Sequence, residues 1–380
     1  MRNFIKIIVP AVIIVTVIIV ILMLYLNIKK SAPIAPKQVK LAQVNQLVVD
    51  QVVVIAENLD TPWGLVFLPD KNILFTERPG KVRLINTNDK LDQKPVIEIA
   101  AVKEISEGGL LGITIHPDFI HNSYVYLYYT YEGNNEKTWN KVVRMTYKNN
   151  TLSEERIIID QIPGAPNHNG GRIKFGPDNL LYVTTGDAQN PSQAQDVESL
   201  AGKILRVTDD GQEAPGNPFN NLIYSYGHRN PQGLTWDNIG RLWSTEHGRS
   251  GALSGLDELN LIEKGANYGW PKIQGDESGN NMSTPKLHSG SETWAPAGAV
   301  FFKSSILFTG LRGQALYEAK IDVNNITLKQ HFSNRFGRLR DIILGPDNML
   351  YIMTSNLDGR GNPKPKDDKI LKIDPKSISL

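Results

Sequence analysis

One histidine stands in a sequence context suited to proton transfer. His168 lies between two asparagines and is followed by two glycines, so its imidazole is expected in a loop. The ordinary pKa of histidine, about 6.5, suits a general base near neutral pH. Two strand-like runs joined by a Gly-Pro-Asp-Asn turn follow, and the second run ends at Asp187. Because an antiparallel pair brings these two ends together, Asp187 is predicted to orient His168, against the alternatives of a structural histidine and a turn aspartate.

Two other segments carry cations that could bind an anionic ligand. Arg229 and Asn230 offer several hydrogen-bond donors to a carboxylate or carbonyl. Arg338 and Arg340 flank one leucine in a strand, so their side chains share a face, which is unfavourable unless they meet an anion. Arg312 could join them. If these groups converge on one cavity, its ligand is polyanionic; the alternatives are ordinary surface ion pairs and a solvated strand edge.

A third segment, residues 244–260, is dense in carboxylates, hydroxyls and loop carbonyls. Such oxygen ligands suit a hard cation such as Ca²⁺. The spacing matches neither an EF-hand nor a zinc motif. The pattern alone therefore indicates a cation site without specifying its ligands.

Composition excludes several classes of site and partner. The chain has 380 residues, of which 41% are hydrophobic and 21% charged, and it has no cysteine, which rules out disulfides and thiolate metal sites. The formal net charge is +2, but four basic residues and no acid lie in the first thirty residues. The remainder is close to neutral, so no nucleic-acid partner is predicted.

The N-terminus contains an apolar run over residues 7–28, interrupted by Pro10, Thr16 and Asn27 and followed by two lysines. A helix needs about 20 apolar residues to cross a bilayer. We predict a membrane anchor over residues 1–30, a linker over residues 31–46, and a catalytic domain over residues 47–380 on the extracytoplasmic side of the cell membrane. The alternatives are a cleavable signal peptide and a buried core helix.

After the linker, the chain repeats one unit: an apolar run, a Pro-Asp or Asp-Asn turn, then a strand rich in Leu, Tyr and Thr. The units lie at residues 65–77, 113–128, 173–183, 234–244 and 342–351, and a degenerate unit without the aspartate turn lies at residues 299–310. Six such units predict an all-β fold, a six-bladed β-propeller. Residues 48–55 are predicted to pair with residues 370–373 and close the ring, because an open ring would expose a sheet edge.

Taken in order, these motifs resemble the quinoprotein sugar dehydrogenases, the soluble glucose and aldose sugar dehydrogenases that use pyrroloquinoline quinone. The resemblance covers about residues 60–374. Its motifs are PWG at 62–64, GGLLG at 108–112, HPDF at 116–119, NH at 167–168, GHRNPQG at 227–233, DELN at 257–260, NYGWP at 267–271 and RLRD at 338–341.

The resemblance implies a six-bladed propeller with the quinone at its top. It implies that His168 takes the proton of the anomeric hydroxyl as hydride passes to the quinone, while Asp187 orients the base. It also implies a set of groups that bind the tricarboxylate cofactor, namely Arg229, Asn230, Arg312, Arg338 and Arg340. The backbone carbonyls of Gly248 and Arg249 would bind a Ca²⁺ that acts as a Lewis acid on the quinone.

Two positions depart from the family's pattern. Glu107 stands where a glutamine that hydrogen-bonds the quinone is common, and an ionised glutamate accepts hydrogen bonds but does not donate them. Arg249 stands where the calcium loop often has proline, and residues 249–256 look expanded. Glu107 is still predicted to contact the cofactor.

We predict a membrane-anchored, quinone-dependent aldose dehydrogenase that passes electrons to an external acceptor. One alternative is a calcium-dependent propeller hydrolase of the lactonase type, in which the arginine cluster would have no purpose. The other is a non-catalytic propeller used for binding, which would need neither His168 nor the arginine pair.

Overall fold

The computed structural model describes residues 42–43, 52–251, 254–322 and 325–378. The predicted anchor, and the predicted linker apart from residues 42–43, lie outside the described residues. Within the described part of the chain, no helix has both the length and the hydropathy needed to cross a bilayer.

The described strands form six sheets arranged as the blades of a propeller, which confirms the predicted all-β fold. The first two strands are β1 (Ala42–Gln43) and β2 (Val52–Ala56). Blade 1 contains β3 (Pro62–Phe67), β4 (Ile73–Glu77), β5 (Lys81–Ile85) and β6 (Ile97–Glu98). Blade 2 contains β7 (Leu110–Ile115), β8 (Tyr124–Glu132), β9 (Thr138–Lys148) and β10 (Thr151–Pro163). Blade 3 contains β11 (Ile173–Phe175), β12 (Leu181–Thr185), β13 (Lys203–Val207) and β14 (Ile223–Tyr226).

Blade 4 contains β15 (Pro231–Trp236), β16 (Leu242–Glu246), β17 (Glu258–Ile262) and β18 (Leu287–His288). Blade 5 contains β19 (Pro296–Phe302), β20 (Ser305–Gly310), β21 (Ala315–Asp322) and β22 (Asn325–His331), and blade 6 contains β23 (Leu339–Leu344), β24 (Leu350–Thr354), β25 (Ile370–Ile373) and β2. Among the described residues, an α-helical turn, α1 (Phe119–Asn122), and 3₁₀ turns at Asn134–Glu136 and Pro191–Gln195 lie in the connections, and a further 3₁₀ turn, Pro375–Ile378, follows β25.

Each of the six repeated units forms the hairpin of a blade's two innermost strands. The aspartate in the turn explains why the unit recurs, because its carboxylate accepts the backbone N–H two residues later. Asp70, Asp178, Asp237 and Asp347 all make this bond, at 3.0 to 3.2 Å. In these four blades, the aspartate therefore fixes the turn between the two innermost strands.

The ring closes as predicted: β2 pairs antiparallel with β25 and supplies the outer strand of blade 6. Strand β1 falls inside the predicted linker and pairs parallel with β22 in blade 5. Both pairings cover a sheet edge that would otherwise be exposed.

Hydrophobic layers between neighbouring blades form the core. Strand β8 illustrates how the sequence divides between two layers, since alternate residues of a strand point to opposite faces. Val125, Leu127 and Tyr129 pack with blade 1, whereas Tyr126 and Tyr128 pack with blade 3. The aromatic run of β8 is therefore buried on both faces.

At the axis, polar groups join the innermost strands of four blades. Asp341 Oδ2 lies 3.0 Å from Arg172 Nη1 and accepts the backbone N–H of Leu65 at 3.3 Å. Arg172 Nε donates to the carbonyl of Gln232 at 2.9 Å. A Cβ at residue 298 would lie 2.0 Å from Asp341 Oδ1, so glycine is required there. The axial pair is buried and connects blades 1, 3, 4 and 6.

The innermost strands also carry irregularities at one end of the ring, the end at which these strands begin, which we call the mouth. Five of the six innermost strands, β3, β7, β15, β19 and β23, shift register against the second strand at this end. A bulge bends a strand and re-aims its side chains. At the mouth, the regular strand pairing is therefore interrupted, and the bulges change the directions of the side chains.

Replacing Asp341 by alanine would leave the buried Arg172 guanidinium without its carboxylate partner. We expect the free energy of unfolding of the full chain to fall by about 3 to 5 kcal/mol, the usual loss when one partner of a buried ion pair is removed. Denaturant-induced unfolding measures the change. Arg156→Ala is the control, because Arg156 and Asp210 form an ion pair with side chains 54% and 48% exposed. Similar losses in both variants would contradict the structural role of the axial pair.

Candidate active site

A cavity of about 620 Å³ lies at the mouth. Its lining follows from the repeat, because the loops before each innermost strand and after each second strand end there. Lining residues from the first kind of loop are Glu107, His168, Arg229, Ala295 and Arg338. Lining residues from the second kind are Arg78, His247, Leu311, Arg312, Asp358 and Arg360. Segments far apart in the chain therefore build one site.

His168 and Asp187 are in contact, as the strand pairing predicts. His168 Nδ1 lies 2.8 Å from Asp187 Oδ1. The Asp187 carboxylate is fully buried and accepts two more hydrogen bonds, from the backbone N–H of Gln189 to Oδ1 and from Trp270 Nε1 to Oδ2, both at 2.8 Å. With Asp187 accepting from Nδ1–H, the lone pair of His168 lies on Nε2. No described side chain binds this nitrogen, and the ring lines the cavity.

The loop that carries His168 is held in an unusual conformation. His168 has a φ of 62°, in the left-handed region that few residues other than glycine adopt. Gly186 packs against it, and a Cβ there would lie 2.0 Å from the carbonyl oxygen of His168. That carbonyl accepts the N–H of Ala188 at 3.1 Å, while the N–H of Gly170 donates to Asn230 Oδ1 at 3.0 Å. The residues around His168 are thus needed to fix one backbone conformation.

Cations outnumber acids in the cavity lining. The seven lining arginines are Arg78, Arg229, Arg249, Arg312, Arg338, Arg340 and Arg360, against the three acids Glu107, Asp257 and Asp358. No described carboxylate lies within ion-pair distance of Arg229, Arg249 or Arg312. The cavity therefore carries positive charge that the described protein does not neutralise.

Arg338 and Arg340 share a face, as predicted, and Leu339 is buried on the other side. The anion between them is Asp358: its Oδ2 lies 2.9 and 2.7 Å from Arg338 Nε and Nη2, and 3.8 Å from Arg340 Nη2. Gln232 Oε1 accepts from Arg340 Nη1 at 2.7 Å. Burial lowers the pKa of Arg340 to about 9, although Asp358 opposes this shift. One carboxylate thus serves two guanidinium groups.

Arg229 and Asn230 occupy different environments. Arg229 lines the cavity, donates from Nη2 to Ser250 Oγ at 2.7 Å and lies 5.3 Å from the centre of the Trp270 ring. Burial lowers its pKa, and the charge of Asp187 opposes the shift. Asn230 is fully buried, is not part of the cavity lining, and uses Oδ1 to hold Gly170. Because Oδ1 is already bonded, only Nδ2 of Asn230 is left to bind the cofactor, and this contact stays a prediction. Arg312 lies at the exposed rim.

Several buried nitrogen atoms at the site have no hydrogen-bond partner among the described residues. They are Arg229 Nε, Asn230 Nδ2, His247 Nε2, Arg249 Nε and Arg340 Nε. A buried polar group without a partner costs about 1 to 3 kcal/mol, and more if it is charged. Such a group of unpaired nitrogens around a cavity indicates a ligand that supplies several acceptors.

His247 adds a neutral imidazole to this set. Burial lowers its pKa to about 3; nearby Glu107 opposes the shift, and the charges of Arg229 and Arg340 add to it. Burial alone would raise the pKa of Glu107, but the charges of His247 and Arg360 and the N–H of His168 outweigh it and lower the value to about 2. His247 is neutral at neutral pH. The groups that keep Glu107 ionised at this pH are therefore Arg360 and the backbone N–H of His168.

The predicted cation loop lines the cavity at Gly248 and Arg249. The N–H of Gly248 donates to Asp257 Oδ1 at 2.8 Å, and Asp257 Oδ2 accepts the N–H groups of Trp294 and Ala295. A Cβ on Gly248 would lie 2.3 Å from the carbonyl oxygens of residues 255 and 256. Carbonyl oxygens crowd this loop, and they are ligands that a hard cation accepts. Among the described residues, no group of three or more acidic, histidine or cysteine side chains could hold a metal.

A serine, a histidine and a glutamate form a hydrogen-bonded chain beside the site. Ser225 Oγ and Glu246 Oε2 lie 2.9 Å from His228 Nε2 and Nδ1 respectively. Ser225 and His228 are wholly inaccessible, so this chain cannot act as a hydrolytic nucleophile. Glu246 Oε1 accepts the N–H of Arg229, which gives the chain a structural role in holding that arginine.

Several residues of the site were not predicted from the sequence: Trp270, Asp358 and Arg360, and also Arg78 and Gln189, which line the cavity. The repeat contains a signal for two of them, because Asp358 and Arg360 follow the second strand of the last unit, as Asp187 does in the third. Trp270 reaches Asp187 from a loop of blade 4 that has no counterpart in the repeat.

Comparison with known proteins gives the family. The model of the glucose/sorbosone dehydrogenase family matches residues 59–364. Aldose sugar dehydrogenase YliI of Escherichia coli K12 is 30% identical over 359 residues, covering 85% of this chain and 92% of that protein. Quinoprotein glucose dehydrogenase B of Acinetobacter calcoaceticus is 36% identical over 263 residues, covering 60% of this chain and 54% of that protein.

Among solved structures, the PQQ-bound form of aldose sugar dehydrogenase from Streptomyces coelicolor is 36% identical and has a TM-score of 0.79. The match covers 88% of this chain and 99% of that one. The family match spans His168, Asp187 and all seven arginines of the cavity. The predicted resemblance and enzyme class are confirmed, and the chain belongs to the glucose/sorbosone dehydrogenase family of oxidoreductases.

Proposed function

We propose that this chain is an aldose dehydrogenase that uses pyrroloquinoline quinone and Ca²⁺ and oxidises the anomeric hydroxyl of its substrate to the lactone. The observation that carries the proposal is the group of unpaired buried nitrogens on Arg229, Arg249 and Arg340, which line the same cavity as His168 of the His168–Asp187 pair. The unpaired Nδ2 of Asn230, which lies outside this lining, adds an amide donor. Cationic and amide donors of this kind suit a tricarboxylate. A proton acceptor stands beside them.

The residues present fit the cofactor. Arg229, Arg338, Arg340 and the rim residue Arg312 would hold its carboxylates, and Asn230 Nδ2 would add a neutral donor. The carbonyls of Gly248 and Arg249 would hold Ca²⁺. When bound, the quinone accepts the C1 hydrogen of the sugar with two electrons, and Ca²⁺ polarises the quinone carbonyl.

The protein's part in the reaction is the movement of one proton. His168 Nε2 accepts the proton of the anomeric hydroxyl as C1 is oxidised. Asp187, bonded to Nδ1–H, stabilises the imidazolium that results. Trp270 and the N–H of Gln189 keep the carboxylate from rotating away from the imidazole. The left-handed backbone at His168 fixes the direction in which the ring points.

A hydrolase or a non-catalytic binding module would explain fewer features of the site than a dehydrogenase does. A hydrolase would leave the unpaired guanidinium groups without a ligand, and the Ser225–His228–Glu246 chain is too deeply buried to attack a substrate. A binding module would need neither a carboxylate-oriented imidazole nor a strained loop to hold it. The dehydrogenase uses both features.

We propose further that residues 1–30 anchor the enzyme in the cell membrane, with the propeller outside the cytoplasm and an electron acceptor external to the chain. The support is the apolar run over residues 7–28. Protease added from outside the cytoplasmic membrane should digest the propeller of the membrane-bound protein. Digestion only after the cells are lysed would contradict this orientation.

His168→Ala should lower kcat for aldose oxidation by about 100-fold to 10,000-fold, the usual contribution of a general base. The measurement is dye reduction by the full chain with pyrroloquinoline quinone, Ca²⁺ and a series of aldoses. Quinone affinity should be nearly unchanged, because the donors for its carboxylates remain. His121→Ala, which alters a largely exposed histidine, is the control. Full activity in His168→Ala would exclude His168 as the base.

Trp270→Phe removes the N–H that binds Asp187 Oδ2 while keeping an aromatic ring beside Arg229. We expect kcat to fall about tenfold and KM to change little, since one hydrogen bond to a charged group is lost from the base's support. Trp243→Phe is a matched control, because Trp243 Nε1 donates to Asp237 Oδ2 at 3.0 Å at the other end of blade 4. Equal losses of kcat in the two variants would show that Trp270 acts only through stability.

A further inference from the structure

Glu107 is a negative charge in a cavity built to attract anions. Its side chain is 16% exposed and lines the cavity, and Oε2 accepts the backbone N–H of His168 at 3.0 Å. This hydrogen bond helps to hold the loop of the base. An unneutralised carboxylate at this position would nevertheless repel an anionic ligand.

Arg360 reaches this carboxylate from blade 6, across the position of blade 1 in the ring. It belongs to the loop after β24 in blade 6, and its Nη1 contacts Glu107 Oε1. Nη2 donates to Asn167 Oδ1 at 2.6 Å and lies 3.4 Å from Ser106 Oγ. One guanidinium group therefore joins the loops before blades 2 and 3 to the loop of blade 6.

Each of these loops also has contacts that do not involve Arg360. The backbone N–H of Arg360 donates to Asp358 Oδ1 at 2.9 Å, and Asp358 is held through Oδ2 by Arg338. Asn167 accepts from Ser106 Oγ at 2.9 Å, and its N–H donates to Gln189 Oε1 at 3.2 Å. The guanidinium group is consequently a link between preformed parts and is itself 48% exposed, so its replacement leaves the fold intact.

We propose that Arg360 is a positioning residue: it cancels the charge of Glu107, so that the cavity accepts an anionic cofactor, and it ties down the loop that carries His168. The first part rests on the proposed function, because it concerns the binding of pyrroloquinoline quinone. The second part concerns the protein alone. Arg360 acts through Glu107 and Asn167 and needs no contact with the cofactor or the sugar.

A double-mutant cycle between positions 107 and 360 tests the first part. The full chain without quinone is titrated with pyrroloquinoline quinone in excess Ca²⁺, and binding is followed by tryptophan fluorescence. Arg360→Gln should weaken binding by about tenfold or more, since it leaves the negative charge of Glu107 unpaired beside an anionic ligand. Glu107→Gln should bind as tightly as the wild type or more tightly. The double variant should bind within about twofold of Glu107→Gln.

The double variant decides between this account and direct contact. If Arg360 bound a carboxylate of the cofactor itself, Glu107→Gln would not restore the affinity lost in Arg360→Gln, and the proposal would be overturned. Arg156→Gln removes an exposed arginine of blade 2 and should leave affinity unchanged. Arg360→Lys, which keeps the charge but not the two-pronged geometry, should bind the quinone better than Arg360→Gln.

Hydrogen exchange of residues 165–170 in the quinone-free protein tests the second part. Arg360→Gln should speed exchange at the His168 amide, while exchange elsewhere in blade 3 stays unchanged. Unchanged exchange at His168 would overturn the positioning role. If the wild type binds no quinone, the proposed function and the charge-cancelling role fall together, and hydrogen exchange alone decides the remainder.

Discussion

Buried guanidinium groups without a full set of partners are the constraint on which the mouth of this propeller depends. Taking such charges out of water is costly unless hydrogen bonds and opposite charges compensate. The protein compensates in part: Asp358 serves Arg338 and Arg340, and Gln232 accepts a further hydrogen bond from Arg340. Apart from Asn230, the residues at the site that keep an unpaired nitrogen line the cavity. The missing compensation has to come from a ligand, and the number of nitrogens involved specifies one with several acceptors.

The blades make this concentration of charge possible. The loops before the innermost strands and after the second strands end at the mouth, so the ring delivers arginines from distant parts of the sequence to one cavity. Bulges at the mouth end of five innermost strands re-aim the side chains. Below the cavity, the Arg172–Asp341 pair joins four blades across the axis. The regular ring therefore provides stability, and its irregular rim provides the binding site.

The sequence alone was sufficient wherever the determinants were local. The turn aspartates identified five of the six inner hairpins, the apolar runs alone identified the hairpin of blade 5, and antiparallel pairing brought Asp187 to His168. Alternation along β23 placed Arg338 and Arg340 together opposite Leu339. The sequence was insufficient where partners meet only through closure of the ring. Arg360 lies 253 residues from Glu107 and 193 from Asn167, and no local pattern connects them. Asn230 likewise supports Gly170 from within the protein, which residue type could not reveal.

The most direct test of the central claim is a calorimetric titration of the full chain with pyrroloquinoline quinone in excess Ca²⁺, for the wild type and for Arg340→Gln. If the unpaired donors at the mouth exist to bind this anion, the wild type takes up one quinone per chain and Arg340→Gln binds it at least about tenfold more weakly, as expected for the loss of a charged hydrogen-bond donor. Absence of binding by the wild type, or equal affinity in the two proteins, would contradict the claim that these arginines form a cofactor site.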